Sequence, residues 1–277
     1  MVFGTLAAVT VTFIRRIDFM LLTIDIGNSN ITLGIFDGDE LKFVARLATE
    51  RGKTADQYAI ELRNILHLYD ISSHALTGSI ISSVVPELAV ALKNAMTLLT
   101  GKPPMVVGPG IKTGLDIRID NPSQLGADLA VGAVAAIAKY EMPCIIYDLG
   151  TATTISVLGK NGEFLGGSIS AGIGISLNAL AGNTSQLQQV SIETPKKVIG
   201  TNTIESMQSG LILGAAAMLD GMTKRIENEL GSGATLVATG GLAPEIIKNC
   251  EREIIFDNNL LLDGLKIIYE KNAASRR

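Results

Sequence analysis

The chain has 277 residues, 47% of them hydrophobic, and a formal net charge of −4. That length and apolar content suit two domains whose cores need no disulfides, and the acidic balance argues against nucleic acid or an anionic membrane as a general partner. Cys144, Cys250, His67 and His74 show no metal-ligand spacing, which excludes a Cys/His zinc site and fits a reducing, cytoplasmic setting.

Residues 1–19 are mildly apolar as far as Ile14 and then carry Arg15 and Arg16. The run is too short to cross a membrane as a helix, and its charges follow the apolar part, the reverse of a secretory signal. An extension is expected here, with an extra edge strand at 9–13 and Met20 as an alternative start.

From residue 22 the pattern sharpens. Leu22-Thr23-Ile24-Asp25-Ile26 reads as an apolar strand carrying a carboxylate near its end. Gly27-Asn28-Ser29-Asn30 is a turn of small polar residues, and Ile31-Thr32 opens a second strand. Gly27 leaves room for backbone to approach a phosphate, and the N–H groups of such a turn form an anion-binding concavity. The second strand runs to residue 36, Asp37-Gly38 marks a hairpin, and a third strand follows at 41–47. Thr54 is an N-cap for a helix with Leu62, Ile65 and Leu66 on one face. A strand at 75–85 ends at Pro86, which starts a helix to about residue 99. Short strands are expected at 105–107 and 113–119. Gly126-Ala127-Asp128 then begins a helix through Lys139. Asp128 falls in its first turn, where a carboxylate is favoured by the exposed N–H groups. It could serve as a base, or simply stabilise the helix start.

The second half repeats the first. Cys144-Ile145-Ile146-Tyr147-Asp148-Leu149-Gly150-Thr151-Ala152-Thr153-Thr154 is again strand, Asp, one apolar residue, Gly, then hydroxyl residues and a strand. Asn161-Gly162 is the matching hairpin turn, followed by a strand at 164–170. Glycines between 166 and 174 permit a close loop, and a helix is expected at 175–181. Residues 183–198 read as a surface loop, serving as a cover or in a subunit contact. Thr201-Asn202-Thr203 caps a long helix to about residue 230. Gly210, Gly214 and Gly221 inside it cost stability unless a neighbour or ligand comes very close. A strand at 236–239 runs into Gly240-Gly241. A last helix covers 260–269, and 271–277 is expected to fray. Two halves, each opening strand–polar turn–strand–hairpin–strand, would face each other across a cleft and clamp a nucleotide. There is neither a Walker Gly-x-x-x-x-Gly-Lys-Ser/Thr segment nor a dinucleotide Gly-x-Gly-x-x-Gly after the first strand.

This doubled layout resembles the actin, hexokinase and heat-shock ATPase superfamily. Within it, Asp25-Ile-Gly-Asn-Ser-Asn, Asn121-Pro-x-x-x-Gly126-Ala-Asp128, Asp148-Leu-Gly-Thr-Ala-Thr, Ile199-Gly-Thr-Asn-Thr203 and Met207-Gln-Ser-Gly210 are similar to type III pantothenate kinases. The resemblance spans nearly the whole chain from Met20. It implies an α/β fold of two tandem ribonuclease H-like (actin-like ATPase) domains, each a mixed sheet flanked by helices, at 20–138 and 139–277. It implies ATP-dependent phosphorylation of pantothenate, the first step of coenzyme A biosynthesis, by a homodimer. By the same resemblance ATP is bound by Asp25, Ile26, Gly27, Asn28, Ser29, Asn30, Ile31, Thr32 and Thr151, with Asp25 orienting Mg2+. Asp148 holds a monovalent cation, K+ or NH4+. Asp128 is the catalytic base, and Gly126, Ala127, Asp128, Leu129 and Thr203 contact pantothenate.

Two positions depart from the family pattern. Leu129 stands where an Arg usually follows the Asp, and Ile119 where a Tyr is often found. Leucine offers no donors to a carboxylate, so another group would hold that end of the acceptor. A nucleotide-binding regulator that keeps the fold with weak or no pantothenate phosphorylation is the alternative these two residues raise.

Overall fold

The computed structural model describes residues 20–274; the extension expected at 1–19 lies outside the described residues. β1 (Met20–Ile26), β2 (Asn30–Asp37) and β3 (Glu40–Ala48) form an antiparallel meander. Its hairpin needs the left-handed backbone that Gly38 supplies at φ 58°. α1 (Ala55–Leu68) then carries the chain over the sheet. It starts on a full capping box in which the Thr54 side chain accepts from the Gln57 N–H while the Gln57 side chain accepts from the Thr54 N–H. β4 (Leu76–Ser83) returns parallel to β1, Pro86 opens α2 (Pro86–Thr100), and β5 (Met105–Val106) closes the sheet in the order β3-β2-β1-β4-β5.

α3 (Ala127–Lys139) leads into the second half. There β6 (Cys144–Leu149), β7 (Ala152–Leu158) and β8 (Phe164–Ala171) repeat the meander. α4 (Ile173–Asn183), α5 (Thr203–Gln208) and α6 (Gly214–Leu230) precede β9 (Thr235–Thr239), which is parallel to β6. α7 (Ala243–Ile247) and β10 (Ile255–Phe256) complete the order β8-β7-β6-β9-β10. The two sheets therefore share one topology, strand for strand.

α8 (Leu260–Ala274) returns to the first sheet. Its Leu262, Leu265 and Ile268 pack with Leu21, Phe36 and Ile80 and with Val131 and Val134 of α3. The opposite side of α3, Ala133, Ala135 and Ala136, packs on Cys144, Ile146, Leu158 and Val237 of the second sheet. So α3 and α8 are sandwiched between the sheets, α1 and α2 cover the outside of the first, and α4, α6 and α7 cover the outside of the second. Small residues let α3 sit there. A Cβ on Gly264 would lie 2.2 Å from the Val131 carbonyl oxygen, so the α3–α8 contact depends on that glycine.

Several expectations change in detail. The strand expected at 113–119 is an irregular segment with one bridge, Ile117 to Phe164, and Gly114 at φ 77° interrupts it. The helix after Thr203 runs to Leu230 as expected but contains a π-helical turn, Ser209–Leu213. α8 continues five residues past 269 into the segment expected to fray. There the buried Asn272 side chain accepts from the Lys112 N–H and donates to the carbonyls of Lys112 and Ile268. Residues 183–198 lie on the surface, but Leu187, Val190 and Ile192 pack against the second core and Thr194 donates to Glu245.

Candidate active site

Strand register decides which side chains face the cleft. Directly opposed residues on paired strands share a face of the sheet. Across β4-β1-β2-β3 this places Ser82, Asp25, Thr32 and Arg46 in one row. Across β9-β6-β7-β8 it places Thr239, Asp148, Thr154 and Ile169 in the equivalent row. The sequence repeat is thus also a repeat of side-chain direction.

The two polar turns close in the same manner. Gly27 N–H donates to the Asn30 carbonyl at 2.9 Å, and Gly150 N–H to the Ala152 carbonyl at 3.1 Å. The turns meet across the cleft, where Ser29 Oγ and Thr151 Oγ1 are hydrogen-bonded at 2.8 Å. Behind the second turn, Gly240 adopts φ 96° and a Cβ there would sit 2.7 Å from the Leu149 backbone, so the Gly240-Gly241 turn reaches the cleft only as glycine.

Together these turns enclose a cleft of about 610 Å³. Asp25, Asp148 and Asp128 all line it, each from a different element: β1, β6 and the first turn of α3. Their environments are costly for charge. Burial, then the charges of Asp128 and Asp148, push Asp25 up to about 7. Burial, then Asp128, pushes Asp148 up to about 6. Asp128 is also raised, by burial, against the pull of the Leu129 N–H that donates to its Oδ1 at 2.8 Å. Three acids facing one space at neutral pH call for cations or a ligand that brings them.

The hydroxyls beside two of these acids differ. Ser82, next to Asp25, interacts with that carboxylate and lowers its pKa against the effect of burial, whereas Thr154 Oγ1, next to Asp148, is buried without a hydrogen bond among the described residues. Buried hydroxyls are ordinarily satisfied, so Thr154 marks a place for a cation or its water. Among the described residues no group of three or more His, Cys, Asp or Glu could hold a metal. The single carboxylates fit ions that draw most of their ligands from water and phosphate, as Mg2+ does.

The model of the type III pantothenate kinase family matches residues 21–225. A type III pantothenate kinase of Moorella thermoacetica is 44% identical over 257 residues, covering 91% of this chain and 100% of that protein. One from an Exiguobacterium species is 45% identical over 253 residues, covering 91% and 99%. The chain belongs to the type III pantothenate kinase family. The ADPNP-bound activator of 2-hydroxyisocaproyl-CoA dehydratase from Clostridium difficile shares the fold, with a TM-score of 0.57 at 12% identity over 93% of this chain and 97% of that one. The architecture is that of two tandem ribonuclease H-like, actin-like ATPase domains.

Not every site residue inferred for the type III pantothenate kinase family enters the cleft. Asp25, Ile26, Gly27, Asn28, Ser29, Asn30, Thr32, Asp128, Asp148 and Thr151 line it, while Ile31 is buried in the first core. Gly126, Ala127 and Leu129 flank Asp128 at the start of α3. Leu129 and Ile119 pack against one apolar cluster with Leu125, so both departures from the family pattern fall in the same patch. Thr203 lines a separate cavity with Gly200, Asn202 and Gly210, and within one chain it is not brought to Asp128.

The cleft also holds residues that motif reading passed over: Arg46, Asn178 and Asn258. Arg46 was not legible from the hairpin alone: the register that starts at Asp37 and Glu40 would set Ala45 opposite Thr32, and the bulge between Ile35 and Phe36 brings Arg46 there instead. Asn178 and Asn258 carry no local signal and are brought in by α4 packing and by the return of α8.

Proposed function

We propose that this chain transfers the γ-phosphate of ATP to the primary hydroxyl of pantothenate, giving 4′-phosphopantothenate for coenzyme A biosynthesis. The observation that carries this reading is the convergence of three half-buried aspartates, from both sheets and from α3, on one cleft between two phosphate-type turns. ATP lies between the Gly27–Asn30 and Gly150–Ala152 turns with its base toward Gly240-Gly241. Asp128 takes the hydroxyl proton as the pantothenate oxygen bonds to the γ-phosphorus and the bond to the bridging β-oxygen breaks. Burial raises its pKa, which makes it a stronger base than an exposed carboxylate. Positioning and charge stabilisation supply the catalysis, with no covalent enzyme intermediate.

Asp25, with Ser82, is the group suited to hydrated Mg2+, and Asp148, with Thr154, to K+ or NH4+. When bound, these ions offset phosphate charge. The homodimer reading rests on a surface. At Gly210, Gly214 and Gly221 a Cβ would meet nothing within 4 Å, so no neighbour among the described residues explains these glycines. Val198 and Ile199 beside them are 73% and 82% exposed. A second copy on this face would cover both, together with Thr203.

The test is turnover of pantothenate by wild type and by Asp128→Asn, with ATP binding measured separately. Wild type is expected to form 4′-phosphopantothenate, and the variant to lose about 100-fold or more in kcat with ATP affinity kept. Wild type that binds ATP without forming product would instead establish the regulator.

A further inference from the structure

We propose that Arg46 holds the terminal phosphate of the nucleotide during transfer, and that Asn258 positions it. This rests on the phosphotransfer reading above and adds a residue to it.

Charge balance is the first argument. The cleft walls bring three carboxylates toward a ligand whose phosphates are themselves anionic. Among the described residues lining it, Arg46 is the one basic side chain. Arg51, which reaches Asn28 of the first turn, lies outside the lining: its Nη1 pairs with Glu87 at 3.3 Å and its Nη2 donates to Asn28 Oδ1 at 3.2 Å. Direction is the second argument. Register places Arg46 in the row of Asp25 and Thr32, on the face that carries the first phosphate turn. In the duplicated sheet the same place is held by Ile169, so a cation here is a feature of one wall only. The third argument is restraint. Arg46 Nη2 donates to Asn258 Oδ1 at 3.0 Å, and Asn258 also lines the cleft. The adjacent Asp257 is buried and accepts from Lys139 Nζ at 2.6 Å and Tyr140 Oη at 2.7 Å, which fixes the Asp257-Asn258 turn to the C-terminal end of α3. Asn258 occupies one Nη of the guanidinium, and a planar fork with donors remaining suits phosphate oxygens.

The experiment uses the full chain carrying Arg46→Ala, Arg46→Lys or Asn258→Ala. ATP affinity is read from displacement of a fluorescent ATP analogue, kcat and pantothenate KM from turnover, and folding from thermal melting. Arg46 is exposed, so its variants are expected to melt with wild type. Arg46→Ala is expected to weaken ATP about 10-fold and lower kcat about 100-fold, leaving pantothenate KM within about twofold. Arg46→Lys restores part of the affinity and little of kcat, because a point charge lacks the fork. Asn258→Ala lowers kcat about 10-fold with smaller change in ATP affinity. Unchanged ATP affinity and kcat in Arg46→Ala would overturn the proposal. So would an effect confined to pantothenate KM, which would assign the guanidinium to the acceptor carboxylate. Because ATP binding is read without turnover, a failure of Arg46 to hold the nucleotide is distinguishable from a failure of wild type to phosphorylate pantothenate.

Discussion

Asp25 and Asp148 are acids placed where an acid is disfavoured. Each is an inward position of a central strand, flanked by a hydroxyl and facing other carboxylates. Folding therefore raises their pKa from 3.8 to about 7 and about 6. A carboxyl that holds its proton more tightly folded than unfolded favours the folded state at low pH. That contribution is complete below about pH 4 and is lost as pH rises through about 6 and then about 7. The ligand-free protein is expected to lose melting temperature between about pH 4 and pH 7, and Asp25→Asn to flatten that slope. Parallel slopes in wild type and variant would show that Asp25 is not the source. A bound cation favours the charged form, so it stabilises most at the alkaline end of this window.

At the scale of elements, α3 carries the most constraint. It presents Asp128 at one end, is held by Lys139 at the other through a 2.6 Å ion pair to Asp257, and is pressed between two sheets. Such a helix can be neither large-sided nor free to shift. Its contact with α8 depends on Gly264 lying against the Val131 carbonyl. Gly264→Ala improves intrinsic helix propensity by about 1 kcal/mol, yet its Cβ must push the helices apart. Overpacking of this kind costs about 1–3 kcal/mol. Denaturant unfolding is expected to show net destabilisation, and a fall in kcat as Asp128 is displaced. A more stable Gly264→Ala protein would mean that the helices have room the packing does not indicate.

The whole molecule is two copies of one sheet topology, joined by α3 and by the α8 that crosses back. Both cross-cleft hydrogen bonds, Ser29 to Thr151 and Arg46 to Asn258, tie parts that are far apart in sequence. The open glycine face of the π-helical turn and α6 and the exposed Val198 and Ile199 fit a second copy of the chain. Light scattering is expected to give twice the chain mass, and Ile199→Asp to shift it toward monomer by placing a charge in an apolar contact. A monomeric wild type would remove the dimer reading and leave the cavity at Thr203 without a covering partner.

The paired turns, the two hairpins, the capping box at Thr54 and the start of α3 were legible because each is written in residues adjacent along the chain. Glycine where the backbone turns left, a hydroxyl before a helix and alternation along a strand act over a few residues. The doubling of Asp25 by Asp148 was legible for the same reason, and with it the fold. What lay beyond the sequence was everything set by distant packing. The edge segment 113–119 pairs with too little of β8 to become a strand. The last turns of α8 hold because Asn272 finds Lys112, and Arg46 meets Asn258 only because α8 returns to the first sheet. Local physics names the pieces of the cleft; which side chains share it is decided by contacts whose free energy exists only once the two halves are assembled.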